Sequence, residues 1–167
     1  MTADVNHLMT DIAPQPGDHA NVIGYPPLIA LAFAAPGGMV HYFWPLSVAP
    51  RPVAWTLAGI AGVASLSLAL WGAWQLKRAG TAIDPYGSSS AIVTSGPYAF
   101  SRNPLYVAIG LLFAAVGLGF NSVAMLAMIP PWLVVMHFGV VLREERYLAA
   151  KFGATYIAYQ RQVRRWL

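Results

Sequence analysis

The sequence contains no cysteine and few charged residues. Without cysteine, disulfide bonds, thiol nucleophiles and thiolate metal ligands are excluded. Charged residues make up 10% of the 167 residues, whereas soluble domains have about 25%. Hydrophobic residues make up 57%, and the mean hydropathy is +0.55. This composition predicts an integral membrane protein.

Several site patterns are also missing. The sequence has no phosphate-binding glycine loop, no serine nucleophile elbow, and no grouping of histidine with aspartate or glutamate at metal-ligand spacing. It therefore predicts neither nucleoside triphosphate chemistry nor a metal site. The net charge is +4. Because the basic residues lie between or after apolar runs, this charge favours membrane lipids over nucleic acid as the partner.

Residues 1–26 are polar and precede the first apolar run. They contain Asp4, Asp11 and Asp18, and no lysine or arginine occurs before Arg51. A cleaved signal peptide begins with a basic segment, so this pattern argues against one. We expect a polar, partly disordered N-terminal lead-in.

Four apolar runs follow, and a helix of about 20 apolar residues crosses a bilayer about 30 Å thick. The runs cover residues 27–48, 53–76, 104–120 and 121–142. Pro36-Gly37-Gly38 predicts a kink in the first run, and Pro130-Pro131 predicts a bend in the fourth. The last two runs meet at residues 119–122, which predicts a helical hairpin. The expected fold class is all-α, a polytopic membrane protein with about four transmembrane helices, two of them within residues 27–76.

The positions of lysine and arginine predict the orientation. With an even number of spans, both termini and the loop of residues 77–103 lie on one side. Nine of the ten basic residues fall on that side: Lys77, Arg78, Arg102, Arg143, Arg146, Lys151, Arg161, Arg164 and Arg165. The positive-inside rule then places the termini and this loop in the cytoplasm, in a protein of the inner or plasma membrane.

The segment after the fourth run has helical periodicity. Leu148 and Phe152 are four residues apart, and Tyr156 and Tyr159 are three apart, which is typical of helices with one apolar face. Gly153 predicts a break between two short helices. We expect these helices to lie along the membrane interface, with Tyr156 and Tyr159 in the interfacial aromatic belt.

A polar turn precedes the third run. Gly96-Pro97 breaks regular structure, and Asn103 followed by Pro104 is typical of a helix N-cap and first helical position. Backbone N–H groups at a helix start favour an anion, and Arg102 adds a fork of donors beside them. The turn is therefore a candidate ligand site at the mouth of a helix.

Two glutamates are candidate partners for this turn. Glu144 and Glu145 lie at the end of the fourth run, where an unpaired carboxylate is costly to bury. In one interpretation they pair with Arg143 and Arg146 at the surface. In the other, one of them turns toward Arg102, which lies on the same side of the membrane.

Other polar side chains near the spans have simpler interpretations. Tyr98 and Tyr106 flank the turn, so their hydroxyls are candidates to face a ligand. His41 and His137 lie within predicted spans, where we expect structural roles with hydrogen bonds to helix carbonyls.

Several short motifs of the C-terminal half occur in the order of a known family. They are Gly96-Pro97-Tyr98, Arg102-Asn103-Pro104-Leu105-Tyr106, Glu144-Glu145, Leu148, Phe152-Gly153, Tyr156 and Tyr159. This order resembles the isoprenylcysteine carboxyl methyltransferase family, and phospholipid N-methyltransferases carry a related version. The resemblance runs from Thr81, with residues 81–85 similar to the family's approach to the loop, to the end of the chain. Asn103 stands where the best-known members have histidine.

The resemblance implies an integral-membrane methyltransferase that uses S-adenosylmethionine and a lipidic or small-molecule acceptor. Residues 77–167 would form a methyltransferase-like core with a cofactor loop, a helical hairpin and C-terminal amphipathic helices. It implies catalytic roles for Arg102, Glu144 and Glu145. The expected cofactor-binding residues are Gly96, Tyr98, Arg102, Asn103, Tyr106 and Glu145.

Two other interpretations stay open. Membrane sterol and steroid reductases, which use NADPH, have a similar Arg-x-Pro-x-Tyr turn but lack the paired glutamates followed by Phe-Gly. A small non-enzymatic membrane scaffold with a vestigial motif is the third hypothesis. Binding of the two cofactors separates the three.

Overall fold

The structure is a computed structural model that describes residues 19–167. Within this range the chain is helical and has no β-strand; Ser101 and Arg164 form an isolated parallel bridge. The predicted all-α class is confirmed for this part of the chain. Most of the predicted lead-in, residues 1–18, lies outside the described residues.

Seven α-helices follow one another in residues 19–167. They are α1 (Pro26–Phe43), α2 (Arg51–Arg78), α3 (Pro104–Gly119), α4 (Val123–Ala127), α5 (Ile129–Met136), α6 (Leu142–Phe152) and α7 (Ala154–Gln162). A 3₁₀ turn, Gly96–Ala99, lies between α2 and α3, and a π-helical turn, His137–Val141, joins α5 to α6.

Two helical segments are long and apolar enough to cross a membrane. They are α2 and the 30-residue segment Val123–Phe152, which contains α4, α5 and α6. Helix α3 is apolar but has 16 residues, and α1 has 18. The structure therefore shows two helices of spanning length, and the crossing of the bilayer by four helices stays a prediction.

Small residues let α2 pack closely on α3. Ser65 is buried, and its hydroxyl donates a 2.7 Å hydrogen bond to the Ala108 carbonyl of α3. A Cβ on Gly62 would lie 3.9 Å from Ala115 Cβ, and one on Gly72 would lie 2.9 Å from the Leu105 side chain. The exposed face of α2 carries large apolar side chains such as Trp55. In a membrane protein such a face is covered by lipid.

The turn between α3 and α4 lies where the sequence predicts it. Ser122 caps α4 by accepting a hydrogen bond from Met125 N. Asn121 has a positive φ of 51°. Its side-chain oxygen accepts from Val48 N at 2.9 Å and Ala49 N at 3.2 Å, and its amide donates to Ala49 O at 2.8 Å. One buried side chain thereby fastens this turn to the connection between α1 and α2.

The predicted proline sites lie in α1 and at the start of α5. Pro36 lies inside α1. The next residue, Gly37, lies against the α4 backbone, where an added Cβ would meet Met125 Cα at 2.8 Å. The predicted bend at Pro130-Pro131 corresponds to the break between α4 and α5, with both prolines in the first turn of α5.

The buried core combines side chains from the segment before α1 with side chains from α3, α5 and the π-helical turn. Its members are Ala20, Val22, Tyr106, Phe113, Trp132, Met136, Val140 and Val141. Ile23 N donates to the Gly139 carbonyl of the π-helical turn at 3.2 Å, and a Cβ on Gly139 would clash with the Ile23 side chain. The segment before α1 therefore packs onto the helix that leads to Glu144 and Glu145.

We predict that Asn121 makes a measurable contribution to stability. Asn121→Gly keeps the positive φ accessible but removes three hydrogen bonds, and we expect a loss of roughly 1–3 kcal/mol in the free energy of unfolding. Asn121→Ala adds backbone strain of roughly 1 kcal/mol, because alanine disfavours positive φ. Thermal unfolding in detergent should rank the midpoints wild type, Asn121→Gly, Asn121→Ala; equal midpoints for all three would contradict this role.

Candidate functional site

A cavity lies between the loop after α2, the start of α3, and helices α6 and α7. It contains about 670 Å³ of empty space, a figure that includes its open mouth. Its lining residues with polar side chains are Asp84, Ser89, Tyr98, Arg102, Asn103, Tyr106, Glu144, Glu145, Tyr147 and Tyr156. Five of the six predicted cofactor residues, all except Gly96, therefore line one cavity.

Glu145 binds two arginines from distant parts of the chain. Its Oε1 atom lies 3.2 Å from Arg102 Nη2. Arg165 donates from Nε to Oε1 and from Nη2 to Oε2, each at 2.9 Å. The side chains of Arg102 and Glu145 are 9% and 8% exposed, and that of Arg165 is 35% exposed. The hydrogen bond to Glu145 raises the pKa of Arg165, so the guanidinium stays charged.

Arg102 retains an unused donor. Its Nε atom is buried and has no hydrogen-bond partner among the described residues. An unsatisfied donor on a charged group is costly when it is buried. Arg102 also lines the cavity, and an anionic ligand group that entered beside it is a candidate partner for this donor.

Glu144 has a different environment from Glu145. Its Oε1 atom accepts a 2.6 Å hydrogen bond from the Tyr106 hydroxyl at the start of α3. Its other oxygen accepts no hydrogen bond from the described residues, and Glu144 lines the cavity. Glu144 is therefore the carboxylate of the pair with an oxygen left for a ligand.

The glutamates do not pair with their neighbouring arginines, so the surface interpretation is wrong. Arg143 instead donates to the Asn21 carbonyl at 2.9 Å, and Arg146 donates to the Leu142 carbonyl at 3.2 Å. The alternative, in which a glutamate turns toward Arg102, describes the structure.

Tyrosines form much of the cavity wall. Burial raises the pKa of Tyr98 and of Tyr156, so both phenols are protonated at neutral pH. Tyr159, whose pKa burial raises to about 12, donates a 2.7 Å hydrogen bond to the Tyr98 carbonyl. The expected interfacial belt position of Tyr156 and Tyr159 is wrong, since the two residues are 3% and 7% exposed and support the site.

Asn103 occupies the predicted N-cap position of α3, but its side chain does not cap the helix. The side-chain amide instead donates a 2.9 Å hydrogen bond to the Arg165 carbonyl. Asn103 lines the cavity through a side chain that also holds the C-terminal residues. The Asn103 side chain is directed toward the C-terminal residues, and its oxygen accepts no hydrogen bond from the first turn of α3.

Gly96 does not line the cavity. It has a φ of +61°, and an added Cβ would clash with the Gln75 side chain of α2. Gln75 in turn donates to the Ser95 hydroxyl at 3.3 Å. Gly96 therefore lets the 3₁₀ turn approach α2, and its effect on the site is through the position of Tyr98.

Asp84, Tyr147 and Arg165 are among the lining or adjoining residues that the sequence did not predict. Asp84 accepts from Tyr86 N at 2.9 Å in a tight turn and lines the cavity; its place in the family-like segment of residues 81–85 was the available signal. For Tyr147 the available signal was its position directly after Arg146, next to the paired glutamates. Arg165 gave no local signal, because it reaches Glu145 only through the fold.

The two predicted membrane histidines differ in their contacts. His137 Nδ1 lies 3.4 Å from Trp166 Nε1, which donates to it. The Nδ1 atom of His41 has no partner among the described residues. The expected hydrogen bonds to helix carbonyls are found for neither of these ring atoms.

Carboxyl groups outnumber guanidinium groups around the cavity. Asp84, Glu144 and Glu145 line it, whereas Arg102 is the arginine in its wall and Arg165 adjoins through Glu145. Three carboxyl groups therefore accompany two guanidinium groups, both of which are paired with Glu145. A ligand with net positive charge and one carboxylate suits this arrangement better than a polyanion.

Comparison with known proteins identifies the family. The sequence profile described as phospholipid methyltransferase matches residues 53–155, which is 103 of the 167 residues. The chain belongs to the phospholipid methyltransferase family. The match contains Arg102, Glu144 and Glu145 and confirms the family resemblance seen in the motifs; Arg165 lies outside it.

Curated relatives match over short segments. The cobalt-zinc-cadmium resistance protein CzcN of Cupriavidus metallidurans is 36% identical over 64 residues, which are 38% of this chain and 30% of that protein. An uncharacterized protein of Haemophilus influenzae is 49% identical over 47 residues, which are 28% of this chain and 73% of that protein. The matched segment thus spans less than a third of the length of CzcN. No solved structure matches this chain.

We predict that Gly96 is needed for the position of the 3₁₀ turn. Gly96→Ala combines strain at positive φ, roughly 1–2 kcal/mol, with the clash against Gln75, so the thermal unfolding midpoint should fall. The double variant Gly96→Ala/Gln75→Ala relieves the clash but keeps the strain, and should recover part of the loss. A Gly96→Ala midpoint equal to that of the wild type would contradict this role.

Proposed function

We propose that this protein is an integral-membrane methyltransferase that transfers a methyl group from S-adenosylmethionine to a lipidic acceptor. The observation that carries the proposal is the meeting of Arg102 with Glu144 and Glu145 in one cavity, within the segment that matches the family. These are the residues to which the family resemblance assigns catalytic roles. Arg102 and Glu144 would contact the cofactor, and Glu145 would hold Arg102 in place.

The cavity residues fit the charged groups of S-adenosylmethionine. The unpartnered Nε of Arg102 is a donor for the cofactor carboxylate. The remaining oxygen of Glu144 is an acceptor for the cofactor ammonium group. The rings of Tyr98, Tyr106 and Tyr156 in the cavity wall offer faces to the sulfonium cation.

A second cavity extends the space available to the adenosyl group. It contains about 440 Å³ of empty space including its opening, and it shares Tyr98, Arg102 and Tyr156, among others, with the first. Its other walls include small and apolar residues of the loop after α2, among them Thr81, Ala91, Ile92 and Val93. A mostly apolar wall with few polar groups is suited to a nucleoside base.

The same charges argue against the reductase alternative. NADPH carries phosphate groups with several negative charges, which would face Asp84, Glu144 and Glu145. Arg102 offers one unused donor, fewer than several phosphate groups require. The methyltransferase hypothesis is therefore favoured over the reductase, and a cavity lined by charged and polar groups favours an enzyme over a scaffold.

The protein's part in the chemistry is to bind, orient and exclude water. When bound, S-adenosylmethionine supplies a methyl carbon, which passes to the acceptor's lone pair while the sulfur keeps the electrons of the broken bond. Arg102 would hold the cofactor by its carboxylate, and Glu144 would hold it by its ammonium group. The methyl group would then be aligned with the acceptor atom. Pro104, Leu105 and Leu148 line the cavity beside the polar groups and limit the entry of water.

An apolar groove supports a lipidic acceptor. It lies between α3 and α5, contains about 1,060 Å³ including its opening, and shares Tyr106 with the cavity. Its lining residues are Tyr106, Val107, Gly110, Leu111, Ala114, Ile129, Trp132, Leu133, Val134, His137, Phe138, Trp166 and Leu167. An acyl or prenyl chain in the groove would place its polar end near Tyr106, at the edge of the cavity.

The proposed location is the cytoplasmic side of the membrane. Nine of the ten basic residues lie with Arg102 in the loop of residues 77–103 or after the last apolar run. The positive-inside rule puts this side in the cytoplasm, where S-adenosylmethionine is made. A cofactor from the cytoplasm and an acceptor from the bilayer would then meet at the interface.

We predict that the purified protein binds S-adenosylhomocysteine and not NADPH. Arg102→Ala removes the donor for the ligand carboxylate, a charged hydrogen bond of roughly 1.5–3 kcal/mol, so its dissociation constant should rise about 10- to 100-fold. Glu144→Gln should weaken binding through loss of the ammonium contact. Calorimetric titration in detergent measures both. Saturable binding of NADPH alone would sink the methyltransferase proposal, and binding of neither ligand would favour the scaffold.

We also predict that filling the groove affects the acceptor and not the cofactor. Ala114→Trp places a bulky ring in the groove, so the KM for a lipid acceptor should rise at least tenfold while S-adenosylhomocysteine affinity stays within twofold. Ala64→Trp, on the exposed face of α2, is the matched control and should leave both unchanged. An unchanged KM in Ala114→Trp would show that the acceptor does not use the groove.

A further inference from the structure

The last residues of the chain cross the polar turn in front of α3. Residues 163–167, here called the C-terminal strap, begin with Val163 in extended conformation. The backbone N–H of Arg102 donates to the Arg164 carbonyl at 2.9 Å, and the Asn103 side chain donates to the Arg165 carbonyl at 2.9 Å. These contacts hold the strap by its backbone and leave the Arg165 side chain to act elsewhere.

The Arg165 side chain occupies both oxygens of Glu145. Its two donors and the two oxygens form a fork with both distances at 2.9 Å, the strongest geometry for this pair of groups. Arg102 is left with one contact to the same carboxylate, from Nη2 at 3.2 Å. The Nε atom of Arg102 is the donor without a partner.

We propose that Arg165 is a positioning residue that holds Glu145 away from Arg102 Nε and so keeps this donor for the ligand. The inference rests on the proposed function, because it concerns the donor that would receive the cofactor carboxylate. Without the Arg165 fork, Glu145 turns and forms its own fork with Nε and Nη2 of Arg102. Glu145 then neutralises the Arg102 guanidinium, and the ligand carboxylate loses its contact with Nε.

A purely structural role for the strap makes a different prediction. The strap is attached through the carbonyls of Arg164 and Arg165 and through the contact of Trp166 with His137. None of these contacts uses the guanidinium of Arg165, so all of them remain in Arg165→Gln, which removes only the fork to Glu145. Arg165→Lys keeps the charge but cannot form a fork, since lysine is a point donor.

The role of Glu145 as the intermediary is also testable. If Arg165 acts only through Glu145, removing Arg165 from a protein that already lacks the Glu145 carboxylate has no further effect. A double-mutant cycle measures this coupling. Arg161→Gln removes the same charge from an exposed position of α7 and serves as the matched control.

The experiment is calorimetric titration of the full-length protein in detergent with S-adenosylhomocysteine, together with thermal unfolding of each variant. We expect affinity to fall about tenfold or more in Arg165→Gln, to be restored only in part in Arg165→Lys, and to be unchanged in Arg161→Gln. The unfolding midpoint of Arg165→Gln should stay close to that of Arg165→Lys. Glu145→Gln and Glu145→Gln/Arg165→Gln should have the same affinity.

Three outcomes overturn the inference. They are wild-type affinity in Arg165→Gln, losses that add in the double variant, and full restoration by lysine. If the wild-type protein itself fails to bind S-adenosylhomocysteine, the proposed function fails and the inference fails with it. Binding by the wild type with no dependence on Arg165 leaves the proposed function standing and removes only the positioning role.

Discussion

The structure of the site depends on one buried carboxylate between two guanidinium groups. Glu145 lies on α6, Arg102 directly before α3, and Arg165 beyond α7, so a single ionic cluster joins three parts of the fold. A buried carboxylate is tolerated only when its charge is compensated and its oxygens accept hydrogen bonds. The three elements must therefore approach closely, and the cavity is the space that this approach leaves between them.

The packing of the helices explains why these groups meet. Gly62 and Ser65 bring α2 against α3, and Asn121 fixes the turn that reverses the chain toward α5 and α6. The start of α3 and helix α6 lie at the same end of the helical hairpin. The Tyr106 hydroxyl therefore lies 2.6 Å from Glu144 Oε1. Tyr106 also lines the apolar groove, so one side chain separates the polar cavity from the surface on which a lipid acceptor would lie.

Local sequence patterns predicted what depends on local physics. Chain stereochemistry and hydropathy predicted the helical class, the α3–α4 turn at residues 119–122, the bend at Pro130-Pro131 and the break at Gly153. Short motifs drew attention to Arg102, Tyr106 and the two glutamates. The sequence did not predict contacts made by tertiary structure. The Asn103 amide binds the Arg165 carbonyl instead of capping α3, Tyr156 and Tyr159 face inward, and Arg165 pairs with a residue 20 positions earlier. Periodicity identifies an apolar face but does not tell whether lipid or protein covers it.

We propose that this protein transfers a methyl group at the cavity lined by Arg102 and Glu144. The most direct measurement is transfer of labelled methyl groups from S-adenosylmethionine to a membrane lipid extract by the purified protein, with Arg102→Ala as the matched blank. Label should appear in the lipid fraction with the wild-type protein, and at least 90% of it should be lost with the variant. Equal labelling by both proteins, or no labelling of any lipid or small-molecule acceptor by the wild type, would contradict it.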